Sequence, residues 1–181
     1  INGHLGSLQI WEPWMTALGK RFKVIRIDYP PYGLSGPDPA GVYSSARAVE
    51  LLGLLADELR LERFHVGGTS NGALIAVLYA IEHPERVDRL VVSTLPASRP
   101  PKRTPSAELT AAFKADAPLA PFQSHEFFDA FLHDIVANDA AITPALIDRY
   151  FEINNRVDAK GWVDAYIQTQ YTLWDTLDVA A

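Results

Sequence analysis

Cysteine is absent from the 181 residues, which removes disulfides, a thiol nucleophile and thiolate metal ligation together. Cysteine hydrolases are therefore excluded, and the redox compartment is left open. No run approaches the roughly eighteen consecutive apolar residues that a membrane span needs. Positive charge is scarce: 16 Lys and Arg stand against 22 Asp and Glu, a formal net charge of -6. Such a balance offers no patch for a nucleic-acid backbone or an anionic membrane, so a small molecule or a protein is the expected partner. The start, Ile1-Asn2-Gly3-His4, has neither the basic nor the apolar region of a signal peptide. It also has no initiator Met, so the chain is expected to begin inside a longer reading frame or after processing, and a cytoplasmic placement is the matching expectation. The five histidines are far apart, with no His-x-x-x-His or acid-rich triplet among them, so neither a metal nor a cofactor is expected.

What is present suits a packed core, with 48% hydrophobic and 21% charged residues. Phe22 to Asp28 is short, rich in β-branched residues and closed by Tyr29-Pro30-Pro31-Tyr32-Gly33, which predicts a strand running into a turn. Ser44 or Ser45 is placed to cap a helix over about Ala46 to Leu59, where Val49, Leu52, Leu55 and Leu59 recur at spacings of three and four. Phe64 to Gly68 predicts a second strand, Gly72 to Glu82 a second helix, and Leu90 to Thr94 a third strand. Alternation of this kind implies a parallel sheet in an α/β fold.

After Leu95-Pro96 the composition changes, and Ser98 to Pro105 is a Pro-rich, basic connector. From Ser106 onward the patterns are helical: Ala107 to Lys114, His125 to Val136, Pro144 to Asn154, and Gly161 to about Leu173. Ser124 and Thr143, the latter followed by Pro144, supply capping signals. Few and aromatic-rich, these helices are expected to form a cap over an active site rather than a second core. The division is thus 1–97 for the sheet-bearing part and 98–181 for the helical cap.

The chemistry concentrates at Gly68-Thr69-Ser70-Asn71-Gly72. A serine hydroxyl needs to project from the backbone towards a base, and a tight strand-to-helix turn achieves this. Gly68 and Gly72 leave room for that turn, since a side chain at either would collide with the neighbouring strand or helix. A predicted strand precedes the pentapeptide and a predicted helix follows it, which is the context the motif requires. Asn71, at the helix N-terminus, would direct its backbone N–H towards a developing oxyanion.

These segments resemble the α/β-hydrolase superfamily from Ile1 through Ala97, with a helical cap to the end of the chain. Asn2-Gly3-His4 is similar to the family's oxyanion loop, and Leu8 to Trp14 to the segment that follows it. Asp28 to Ser35 is similar to the Asp-x-Pro-Gly-His-Gly-x-Ser loop, and His83 to Val87 to the exit from the nucleophile helix. The resemblance implies a partial doubly wound parallel sheet with a cap. It also implies Ser70 as nucleophile, and backbone N–H groups of Asn71 and His4 as oxyanion donors. Asn2 replaces the usual His, Pro31 a Gly and Tyr32 a His, so Asn2, Gly3 and Tyr32 are expected to shape the pocket. Serine, where dehalogenase and epoxide-hydrolase relatives place aspartate, implies acyl chemistry on esters, thioesters, lactones or similar carbonyl compounds, the substrate being a small acyl molecule.

In this family the acid and then the histidine follow the cap, so both are expected beyond Ala181. Leu95, Pro96 and Ala97 offer no carboxylate after the third strand, and Asp175 and Asp178 read as a helix end. His65, His83, His125 and His133 fall in a strand start, a helix exit and the cap. His4 borders the expected site, where pocket lining is its ordinary role. Trp11 and Trp14 are expected to contribute to a core, and Phe127, Phe128 and Phe131 to cap packing, with acyl-pocket lining as the alternative. The strand feeding Gly3 would lie before Ile1, between the strands Phe22–Asp28 and Phe64–Gly68, so open strand edges, marginal stability and association are expected. Two other readings stay open: a non-catalytic module that binds a small molecule between sheet and cap, and an acyltransferase on the same fold.

Overall fold

The computed structural model describes residues 1–95, 124–155 and 161. The connector from Ser98 to Pro105, the helix expected at Ala107 to Lys114 and the segment after Gly161 lie outside them.

A 3₁₀ turn at Leu8–Trp11 leads into α1, Glu12–Leu18. Helix α2 spans Ser45–Glu58, β1 Phe64–Thr69, α3 Asn71–Glu82 and β2 Val87–Ser93. Two further helices follow, α4 at His125–Ile135 and α5 at Pro144–Asn154. The capping signals behave as their chemistry requires. Ser44 accepts from the Arg47 N–H, Ser124 from Phe127 and Thr143 from Leu146, each satisfying a first-turn donor worth about 1 kcal/mol.

Strands β1 and β2 pair in parallel, from Phe64 opposite Val87 to Thr69 opposite Ser93, with α3 as the crossover between them. Helix α3 is apolar nearly all round, which suits a helix enclosed on several sides: Leu74, Ile75, Leu78 and Tyr79 are all buried. Val49 and Leu52 bring the buried face of α2 into the same core, which Tyr29, Tyr32 and Tyr43 complete. Burying each of these aliphatic side chains stabilises by about 1.5–3 kcal/mol. Arg47 reaches back from α2 to the buried Asp38 at 3.0 Å, and that hydrogen bond holds the Asp38 carboxyl below the usual range, outweighing burial, which pushes it up.

The sequence pattern misleads at Phe22–Asp28, which is not a strand: residues 23–29 have no ladder partner. On the other side of β1 from β2, the ladder position belongs to Ile1, whose N–H donates to the Gly67 carbonyl at 2.6 Å and whose carbonyl accepts from the Thr69 N–H at 3.1 Å. A β-branched run becomes a strand only beside another strand. Trp14 also departs from expectation. It is 51% exposed, packed edge-on against Trp11 instead of in the core.

Helices α4 and α5 pack on each other. Phe128 and Leu132 are buried, and both Phe128 and Phe131 lie against Tyr150. Among the described residues no helix is long and apolar enough to cross a membrane, and no group of three or more His, Asp or Glu could hold a metal ion.

Candidate active site

Ser70 sits at the junction where β1 ends and α3 begins, with φ +52° and ψ -124°. A non-glycine residue there carries strain of about 1–3 kcal/mol, which the neighbouring glycines make bearable. A Cβ on Gly68 would fall 2.2 Å from the Gly72 carbonyl oxygen, and one on Gly72 would fall 2.4 Å from the carbonyl oxygens of both Ile1 and Asn2. Gly68 therefore lets the strand fold back on the helix start, and Gly72 lets the Ile1–Asn2 backbone cross directly over α3. The Ser70 hydroxyl does not cap α3.

The end of β2 steadies this turn. The Ser70 N–H is shared between the Ser93 carbonyl at 3.0 Å and the Thr94 hydroxyl at 3.1 Å. The Thr94 hydroxyl also meets the Thr69 hydroxyl at 2.8 Å and donates to the Ser93 carbonyl at 2.8 Å. One hydroxyl can satisfy all of this by accepting from Ser70 and Thr69 while donating to Ser93. Thr94 itself has φ +51°, an outlier for a β-branched residue. Two strained residues, Ser70 and Thr94, are thus hydrogen-bonded to each other.

Opposite the turn lies the loop Asn2–Gly6. Gly3 packs on Ser70 so closely that a Cβ there would stand 2.8 Å from the Ser70 Cβ and 3.4 Å from its Oγ. Residues Gly3 to Gly6 form a turn closed by the Gly6 N–H to the Gly3 carbonyl. Leu5 has φ +57° at its third position, where glycine or asparagine is usual. The buried Asn2 side chain donates to the Gly3 and Gly6 carbonyls at 3.2 and 2.7 Å. An asparagine at this place therefore has a structural use: its amide braces the turn from within.

His4 and Asn71 are joined to the loop 28–35 through two tyrosines. Asn71 Nδ2 donates to the Tyr29 phenol at 2.9 Å, Tyr29 and Tyr32 meet edge to face, and the Tyr32 hydroxyl bonds His4 Nδ1. Tyr32, expected to shape the pocket, is only 1% exposed and packs in the core cluster. Burial pushes the Tyr29 phenol up, opposed by the hydrogen bond from Asn71, and pushes His4 down to about 4. Asp28 anchors the loop itself, its carboxylate accepting from the Leu8 and Leu34 N–H groups at 2.6 and 3.0 Å. Gly33 has to be glycine beside it, because a Cβ would fall 2.1 Å from that carboxylate.

Among the described residues no base reaches the Ser70 hydroxyl. His4 is engaged with Tyr32, His65 packs on Phe22, His83 on Tyr79, His125 pairs with Asp148 and His133 with Asp129 and Asp139. A cavity of about 280 Å³ lies between Leu8, Asp28 and Leu34 on one side and Asp148, Arg149 and Ile153 of α5 on the other, and Ser70 does not line it. Sequence reasoning missed Thr94 and Asn154, whose side chain donates to the Leu5 carbonyl. Only the position of Thr94 at a strand end next to the motif could have drawn attention to it, and nothing local marks Asn154.

Comparison with known proteins agrees with this fold. The family described as alpha/beta hydrolase fold matches residues 1–173. A Yersinia enterocolitica protein, RutD, whose name proposes a carbamate hydrolase, is 40% identical over 87 residues, 48% of this chain and 31% of its own length. A 2-hydroxy-6-oxononadienedioate/2-hydroxy-6-oxononatrienedioate hydrolase of Cupriavidus pinatubonensis is 40% identical over 82 residues, 45% of this chain and 27% of its own. The crystal structure of a hydrolase from Pseudomonas aeruginosa superposes with a TM-score of 0.74 at 25% identity, covering 94% of this chain and 62% of that one. The chain spans about a third of the length of the curated relatives it matches.

Proposed function

The chain belongs to the α/β-hydrolase family, and on that footing we propose that it carries the nucleophile and oxyanion loop of a serine hydrolase acting on a small acyl substrate. The observation that carries the reading is Ser70 itself, held at φ +52° between β1 and α3, its hydroxyl unused by the helix and its Cβ against Gly3.

In the proposed reaction Ser70 Oγ attacks the carbonyl carbon while its proton passes to a histidine outside the described residues, oriented by an acid also outside them. The carbonyl oxygen becomes an oxyanion and receives the backbone N–H groups of Asn71 and His4. Asn71 suits this role as the first residue of α3, because the leading N–H groups of a helix have no intrahelical acceptor and lie at the positive end of its dipole. Collapse of the tetrahedral species expels the leaving group, protonated by the histidine, and water then releases the acyl group from Ser70 by the same steps in reverse. The named relatives act, by their names, on a carbamate and on an oxo-dienedioate; both offer a carbonyl carbon to a nucleophile, which supports an acyl or carbonyl substrate. Helices α4 and α5 fit a cap placed over the oxyanion loop, where Asn154 meets Leu5.

The test is Ser70→Ala in the full-length protein, assayed with p-nitrophenyl esters and carbamates and with a fluorophosphonate probe. Turnover and labelling are expected to vanish with the melting temperature retained. Undiminished turnover would end the serine reading.

A further inference from the structure

We propose that Asn154, the last residue of α5, is a positioning residue for the oxyanion loop, tying the orientation of the His4 N–H to the seating of the cap helix. The proposal rests on the reading of Ser70 and His4 given above. It starts from an imbalance in the Gly3–Gly6 turn. The Gly3 and Gly6 carbonyls are held by Asn2, from within the loop. The Leu5 carbonyl is held from the cap, by Asn154 Nδ2 at 3.2 Å. The other hydrogen of that amide goes to the Tyr150 carbonyl of the same helix at 2.8 Å, which fixes the side chain's rotamer. Asn154 is 4% exposed, so its contact with Leu5 is shielded from competing water.

Leu5 is the residue of the turn least able to hold its own conformation. With φ +57° it occupies a region unfavourable for a side chain that can offer the backbone no local hydrogen bond. Strain of this kind persists only where surrounding contacts over-determine it. The Gly6 N–H to Gly3 carbonyl bond closes the turn around His4 and Leu5. A rotation of the Leu5 carbonyl must therefore be shared by the adjoining peptides, including the one that carries the His4 N–H. A cap helix shifted away from Leu5 would release the carbonyl, let the turn relax and misdirect the oxyanion donor. The cap's position is thereby coupled to catalytic competence through one amide.

The experiment uses the full-length protein and two substitutions: Asn154→Ala, which deletes the amide, and Asn154→Ser, which keeps a small polar group should the alanine variant fold poorly. Two readouts are taken on folded protein. For Asn154→Ala, kcat on a p-nitrophenyl ester and the rate of fluorophosphonate labelling are expected to fall about tenfold, the scale of one lost hydrogen bond, with KM within about twofold. Independently, amide hydrogen exchange of a peptide covering residues 3–6 is expected to accelerate. A purely structural role would lower the melting temperature and leave kcat and labelling of the folded fraction unchanged, which overturns the inference. Unchanged exchange at residues 3–6 in either folded variant overturns it too. Wild-type protein that the probe does not label overturns the Ser70 reading, and the oxyanion role with it.

Discussion

Gly3 and Ser70 are packed so closely that no side chain fits between them: a Cβ on Gly3 would stand 2.8 Å from the Ser70 Cβ. The contact joins two parts of the proposed site that are 67 positions apart in sequence. It sets how near the Asn2–Gly6 loop comes to the hydroxyl.

Replacing Gly3 by Ala should therefore harm activity more than stability. The methyl must push the loop or Ser70 aside by several tenths of an ångström, and displacement of an oxyanion donor costs about a hundredfold in kcat. Gly36 gives the control, since its φ is +56° but a Cβ there would meet nothing within 4 Å. Gly36→Ala should destabilise by about 1–2 kcal/mol and leave turnover of a p-nitrophenyl ester unchanged. Equal losses of turnover in the two variants would show that the Gly3 contact has no special role.

How much of this was legible in the sequence depends on how local each feature is. The Ser70 turn is written in consecutive residues: a strand run, two glycines around a serine, then the apolar run of α3. The helix starts at Ser44, Ser124 and Thr143 are equally local, a hydroxyl three positions before the N–H it receives. Phe22–Asp28 misleads because a strand is defined by its neighbour, and its composition alone cannot supply one. The depth of Tyr32 is not local either: nothing in its own loop tells that Tyr29 and His4 pack edge-on against its ring. Thr94 and Asn154 act on Ser70 and Leu5 across 24 and 149 positions, distances over which no sequence periodicity carries information.

Thr94 should be sensitive to its hydroxyl rather than its shape. Thr94→Val keeps the volume but removes the group that accepts from the Ser70 N–H and meets the Thr69 hydroxyl. The Ser70 N–H keeps the Ser93 carbonyl, so the expected loss is moderate, about 1 kcal/mol of stability and a several-fold fall in kcat. Thr94→Ser retains the hydroxyl and removes the β-branch that is unfavourable at φ +51°. It should match or exceed wild type in thermal stability and retain kcat. If Ser behaves like Val in both measurements, the hydroxyl is not what steadies the turn.

His4 supplies the pH dependence. Burial lowers its pKa from the ordinary value of 6.5 to about 4, so the folded protein holds the ring neutral across the neutral range. The unfolded chain takes up a proton near 6.5, so between about 4 and 6.5 it binds more protons than the folded state does, and folding stability rises with pH there. The His4 contribution is fully present above 6.5, declines as the pH falls and levels off below about 4. His4→Gln should flatten this part of the stability curve. In the wild type the His4 ring resonances should not titrate above pH 5, and a midpoint near 6.5 would contradict the assignment. The same neutrality bears on catalysis. A ring with so low a pKa is a poor acceptor for the Ser70 proton near neutral pH, and its Nδ1 is already committed to Tyr32. Any limb of the pH–rate profile near 7 must then come from another group, and His4→Gln should lower its height without moving its midpoint.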